Sequence, residues 1–283
     1  MFLFRIALIL VLVVCPWVFS CGQLHFASVN GERGYAAMRG NFRMDLDNGF
    51  VLVPAVGYYR MSDTEEDESG ATTKFAFSAE YEAADNLKVI AGASYIPLRL
   101  GFQNVAYGAG VQYTPCYRCG GMLYPYVSLF AGQTRYKIDA YADGRDLPGR
   151  FKTYSTAARA ETGGELGKFF FQARYEKVIK YKNKPSADVA ANWTEIPFMT
   201  AVVQGFVSDA AAARVEYRTR WISPYAAYAR YKYLAHADYG VAAAAGFALH
   251  LGQTTLSGGV EVFEQDRTDT RKTYFSMSAS TTF

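Results

Sequence analysis

Arginine and glutamate recur two residues apart along this chain: Arg159 with Glu161, Arg174 with Glu176, Arg214 with Glu216. In a β-strand that spacing puts both side chains on one face. A water-filled pore lined this way would use its charges to set an ion preference. The same residues can instead neutralise one another as ion networks filling a small barrel. By their alternation with apolar neighbours, Arg39, Arg43, Glu80, Glu82, Arg218, Arg220 and Glu261 join the set. Two arrangements stay open. One is an arginine bank facing a glutamate bank across a constriction, with a mild anion preference. The other is local pairing with a structural role.

Other reactive constellations are thin. Three histidines, His25, His236 and His250, are too few to suggest a metal centre. A hydrolase would need a nucleophile or water activated by a His that a carboxylate or amide orients. His250 ends an apolar segment, with Ser257 on the next inner face, but no such cluster surrounds either. No catalytic residue, metal or cofactor is expected. Cys116-Tyr-Arg-Cys119 falls in a turn followed by Gly120-Gly121. In an exported chain, paired cysteines read first as a disulfide. A redox dithiol would want a helix N-terminus, and strands flank this motif.

The elements that must position these residues are strands. Ala36, Met38, Phe42 and Met44 alternate with Arg39, Asn41, Arg43 and Asp45, and Asp47-Asn48-Gly49 is a hairpin signal. Val51–Tyr59 follows, then an acidic loop over 62–70. Phe75, Phe77 and Tyr81 alternate with Lys74, Ser78, Glu80 and Glu82, and Asp85-Asn86 turns the chain into Leu87–Ile96. Val105, Tyr107 and Val111 share a face, a strand runs from about Tyr124 to Ile138, and a Gly/Asp/Pro loop reaches Gly149. Gly163-Gly164 reads as a turn. Phe169, Phe171, Tyr175 and Ile179 alternate with Gln172, Arg174, Glu176 and Lys180. Lys182–Asn192 is a polar loop, and Ile196–Val207 is expected as a wall strand. Further strands follow up to a loop over 266–272.

The last segment, Thr273–Phe283, is apolar at Phe275, Met277, Ala279 and Phe283, and small and polar at Ser276, Ser278, Ser280 and Thr282. It resembles the closing strand of Gram-negative outer-membrane β-barrel proteins. That resemblance implies that Phe283 is part of the signal read by the barrel assembly machinery. At the other end, Met1–Arg5 carries one positive charge, Ile6–Val14 is an apolar core, and Pro16 breaks it. This is expected to be a signal peptide over residues 1–20, cleaved after Ser20. The apolar core is far shorter than the ~20 residues a spanning helix needs. Cys21 would then begin the mature chain, with lipidation as a minor alternative.

The chain is nearly neutral, with a formal charge of +3 over 283 residues, so nucleic acid is not an expected partner. Its 22 tyrosines and 20 phenylalanines suit aromatic girdles at a membrane interface. The expected fold is all-β: one closed antiparallel up-and-down transmembrane β-barrel over residues 21–283. A literal count gives fifteen strands. Both termini on one side demand an even number, and fourteen results if Arg214–Tyr239 is one bulged strand; twelve to sixteen is the range. A secreted soluble sandwich or lipocalin-like barrel is the competing fold. It would alternate too, with charges outside.

In size and layout the chain looks like the small monomeric porins. The expected function is a pore for small polar solutes or ions, in the cell outer membrane, working as a monomer beside lipid and lipopolysaccharide. The alternative is a closed barrel with structural, adhesive or assembly roles acting through its loops. An outer-membrane lipid hydrolase ranks below both.

Overall fold

The computed structural model describes residues 22–32, 35–62, 69–99, 102–119, 121–142, 145–184, 193–234, 239–265 and 271–283. The expected signal peptide, Cys21, His236, most of the acidic loop and residues 266–270 lie outside the described residues.

The strands in chain order are β1 (Gly22–Gly31), β2 (Ala36–Asp45), β3 (Phe50–Ser62), β4 (Ser69–Ala84), β5 (Leu87–Arg99) and β6 (Phe102–Tyr113). Then come β7 (Arg118–Cys119), β8 (Met122–Ala142), β9 (Arg145–Leu166), β10 (Phe169–Lys182), β11 (Trp193–Glu195) and β12 (Val202–Gln204). The last five are β13 (Val207–Tyr217), β14 (Ile222–Tyr233), β15 (Tyr239–Leu251), β16 (Thr254–Gln265) and β17 (Arg271–Thr282). Neighbours pair antiparallel, β6 pairs with β8, and β1 pairs with β17, so the sheet closes on itself. Fourteen strands make the wall. The two-residue β7 only extends the β8 edge, and β11 and β12 form a separate sheet.

Closure removes every sheet edge, and the alternation then decides which face is inside. On β10, Phe169, Phe171, Tyr175 and Ile179 are exposed, while Phe170, Gln172, Arg174 and Glu176 between them are partly covered. On β17, Phe275 and Met277 are exposed while Tyr274 and Ser276 are buried. Apolar outside and charged inside is the reverse of a soluble barrel, and it is what a wall facing lipid requires.

Short connections gather at one end. Asn48 (φ 67°) and Gly49 (φ 76°) make the tight β2–β3 turn, and Gly167 (φ 61°) sits in the β9–β10 turn. Both termini of the barrel meet there, with the Phe283 amide donating to the Gly22 carbonyl at 2.9 Å. The opposite end carries the long connection between β10 and β13.

Four expectations are corrected. Gly163 and Gly164 lie within β9 rather than in a turn. A Cβ at Gly163 would stand 2.7 Å from the Phe171 carbonyl oxygen and from the Tyr126 ring, so close approach, not backbone freedom, explains that glycine. The Gly/Asp/Pro stretch up to Gly149 is largely strand, since β8 runs to Ala142 and β9 begins at Arg145. Arg214–Tyr239 is two strands joined by a turn over 218–221. The Thr219 hydroxyl closes that turn, donating to the Ile222 carbonyl at 2.5 Å. Of Ile196–Val207 only Val207, the first residue of β13, belongs to the wall. The rest folds into the lumen, so fourteen is reached by a different route from the one the sequence suggests.

The inserted segment explains the core. Ile196, Met199, Ala201 and Val202 are buried against Ala210 and Ala212 of β13, Ala227 and Ala229 of β14, Ala242 and Ala244 of β15. Tyr274 of β17 and Val29 of β1 belong to the same cluster. All these wall residues lie on the inward parity of their strands, as their direct cross-strand pairing shows. The alanine-lined side of the wall is therefore the seat for residues 193–206.

Candidate functional site

The inserted segment is held by side chains from the wall. Glu261 on β16 is 3 % exposed. Its Oε1 accepts from the Thr200 amide at 2.9 Å and from the Thr200 hydroxyl at 2.6 Å, and its Oε2 accepts from the Ala201 amide at 2.9 Å. The Val202 amide donates to the Tyr35 hydroxyl at 3.2 Å. On the other flank Lys74 of β4 meets Glu195 at 2.8 Å, and the Tyr59 hydroxyl donates to the same carboxylate at 3.4 Å. Backbone donors at a loop tip have no ladder partner, so a carboxylate that accepts several of them is a strong clamp.

Glu195 was not singled out from sequence, because a lone acidic residue in an irregular segment carries no periodic signal. Its carboxyl is held at about 2, below the usual 4.5, chiefly by the Lys74 ammonium; Arg39 adds to this and burial opposes it. A carboxylate with a depressed pKa favours the docked state at neutral pH and loses that contribution as pH falls from about 4.5 towards 2. The charged groups acting on it are Lys74, Arg39 and Arg174. We expect lumen conductance to rise as pH is lowered through that window, and to rise less in Glu195→Gln. Equal pH responses in the two proteins, measured in planar bilayers, would remove this tether.

The charged residues singled out from sequence make contacts of their own. Arg43 bridges to Glu80 at 3.3 Å and to Asp45 at 3.1 Å. Glu82 pairs with Lys88 at 3.2 Å. Arg174 pairs with Glu176 at 2.8 Å, and Arg214 with Glu216 at 3.1 Å. Arg218 reaches Glu165 and Glu216 from the turn after β13. Glu161 accepts from the Tyr126 hydroxyl at 3.0 Å and from Gln172 at 2.8 Å. Most of these contacts run along single strands or between adjacent strands, while Arg43–Glu80 reaches across β3 and Arg218–Glu165 across β10. Arg39 and Arg159 instead lie over rings, Tyr59 at 5.4 Å and Phe130 at 4.6 Å. Arg220 sits on the 218–221 turn over Trp221 at 5.0 Å.

Beside the segment lies a cavity of about 420 Å³ on the β3–β9 side. Lys74, Arg159, Glu176 and Phe130 line it, together with small residues including Gly92, Gly108 and Gly132. The lumen is thus divided between an occupied alanine-lined side and an open glycine-rich side.

A closed barrel of this form can be set against known proteins. The barrel resembles those of Gram-negative outer-membrane channels. The CymD monoaromatic hydrocarbon channel is similar with a TM-score of 0.52 and 11 % identity, over 94 % of this chain and 90 % of that one. CdiB from Acinetobacter baumannii is similar at 0.51 and 8 %, over 92 % of this chain and 60 % of that one. The Pseudomonas putida toluene transporter TodX scores 0.49 at 9 % identity, over 95 % and 90 %. No protein-family model and no curated protein matches the sequence. At such identities the likeness is one of fold.

The remaining candidates are structural. His250 Nε2 and the Ser223 hydroxyl are 2.9 Å apart, with the Thr255 hydroxyl 3.3 Å from Nδ1. This has the outline of a nucleophile–base pair, but Ser223 is fully buried and a threonine stands where a carboxylate would orient the ring. The Thr219 amide also donates to Ser223, so the group fastens the 218–221 turn. Cys116 is disulfide-bonded, and Cys119 stands on β7.

Proposed function

We propose that this chain is an outer-membrane channel for small polar molecules or ions, with residues 193–206 as a gate inside the lumen. The observation that carries the reading is a cavity of about 420 Å³, with Lys74, Arg159 and Glu176 in its lining, in a barrel where residues 193–206 are not part of the wall. The apolar outer belt supports lipid contact, and Arg/Glu pairs within the wall support passage of hydrated solutes. A second reading, a closed barrel acting through its loops, is favoured by the same inserted segment, because it fills the alanine-lined half.

Conductance of the refolded protein in a planar bilayer under a salt gradient separates the two. Stepwise currents support the channel, and the sign of the reversal potential tells whether arginine or glutamate dominates the path. Silence from both the wild type and a variant with residues 194–205 replaced by a short Gly/Ser linker would leave the closed-barrel reading standing.

Export and assembly are part of the proposal. Phe283 closes the seam through its amide to Gly22, and its ring is proposed as the feature read by the assembly machinery. Phe283→Ser should lower the heat-modifiable barrel in outer-membrane fractions several-fold while in vitro refolding is kept, since the backbone bond needs no side chain. Normal membrane levels of Phe283→Ser would refute that role.

A further inference from the structure

Glu195 is an anion carried into the lumen by a segment that is not part of the wall. Lys74 binds it at 2.8 Å, yet its side chain is 46 % exposed, so the space beside it is open. Lys74 also lines the cavity of about 420 Å³, where Arg159 and Glu176 join it. Arg159 makes no salt bridge among the described residues, and its Nε is buried without a hydrogen-bond partner. Its guanidinium rests over the Phe130 ring instead.

The cavity floor is poor in side chains. Gly92 of β5, Gly108 of β6 and Gly132 of β8 stand directly opposite one another across three strands. The Phe130 ring lies along that row, within 2.6 Å of where a Gly108 Cβ would be. A compact apolar body can therefore lie against backbone and ring, with its charged end towards the guanidinium. Arginine matches carboxylate in particular, because its planar fork offers two parallel donors. Glu176 on the same wall offsets part of the positive charge, which favours a monoanion over a more highly charged ion.

The geometry points to a binding site for a small organic monocarboxylate with a compact apolar body, held by Arg159 and competing with Glu195 for Lys74, so that occupancy loosens the inserted segment. The assignment names a ligand class for the proposed channel and rests on that reading only for its gating consequence.

The probe is cyclohexanecarboxylate, with cyclohexanecarboxamide as the neutral control, titrated calorimetrically into the refolded full barrel at neutral pH. The acid should bind one per barrel and the amide should not. Arg159→Gln should bind the acid roughly tenfold more weakly, the scale of one lost charge-assisted contact. Glu195→Gln should bind it roughly tenfold more tightly, because the internal competitor has lost its charge. That gain is one a merely structural glutamate would not give, and it keeps the test alive if Arg159→Gln fails to fold. Equal binding of acid and amide, or no gain in Glu195→Gln, overturns the site. A barrel that conducts but binds no carboxylate likewise overturns the site while leaving the channel. A barrel that binds the acid, with the Glu195→Gln gain, but never conducts supports the site and sinks the channel.

Discussion

Glu261→Gln should open the lumen. In the wild type the carboxylate accepts three hydrogen bonds from Thr200 and Ala201, with both oxygens in use. Glutamine keeps one acceptor oxygen and turns an NH2 group towards a backbone or hydroxyl donor. At least one buried donor is then left facing another. Losing a charge-assisted bond and stranding its partner costs about 3 kcal/mol. That shifts the docked-to-undocked balance of residues 193–206 about a hundredfold. The wall should not suffer, because β16 is held to β15 and β17 through its backbone. The variant should keep heat-modifiable mobility and gain open time in planar bilayers. Unchanged currents with a folded barrel would mean that the apolar seat alone holds the segment, and the clamp would be redundant. Glu261→Ala should act in the same direction, with all three bonds lost.

This residue also marks how far the sequence could be read. Its alternation with Val260 and Val262 placed it inside the barrel, and there it is. The same period-two logic placed Arg174 and Glu176 inward and Phe169 and Phe171 outward. A wall between lipid and water imposes a strong contrast on alternate residues. The inserted segment defeats that logic. Ile196, Met199, Ala201 and Val202 are buried on every side, so they show no polar face, and a continuous apolar run resembles a buried strand. Pairing was illegible for another reason. Arg43 and Glu80 meet across β3, 37 residues apart, and only the register of two hairpins brings them together. Arg174 and Glu176, two residues apart on one strand, could be paired by eye. The lumen's division into a seat and a cavity depends on where alanines and glycines line up across strands, which is again register rather than local pattern.

Gly246→Ala should abolish the folded barrel. Tyr225, Gly246, Gly259 and Ser276 stand in one inward row across β14 to β17. The Tyr225 ring reaches across the two glycines, and the Arg214 guanidinium lies over that ring at 4.3 Å. A Cβ at Gly246 would collide with the Gly258 carbonyl oxygen and stand 2.7 Å from the Tyr225 hydroxyl. The carbonyl belongs to the wall and cannot retreat without breaking the ladder, so the cost is about 3 kcal/mol or more. At Gly259 the closest atom is the Tyr225 hydroxyl, the far end of a side chain, with the Ala245 carbonyl oxygen next at 3.0 Å. The two glycines should therefore respond differently to a second change. Tyr225→Ala should restore much of the refolding yield of Gly259→Ala and little of that of Gly246→Ala. Gly258→Val is the control, since its side chain would point to lipid with the nearest atom 3.8 Å away, and it should refold like the wild type. Heat-modifiable gel mobility after refolding reads all five variants. Full rescue of Gly246→Ala by Tyr225→Ala would mean that the ring, not the wall's own backbone, is what requires glycine there.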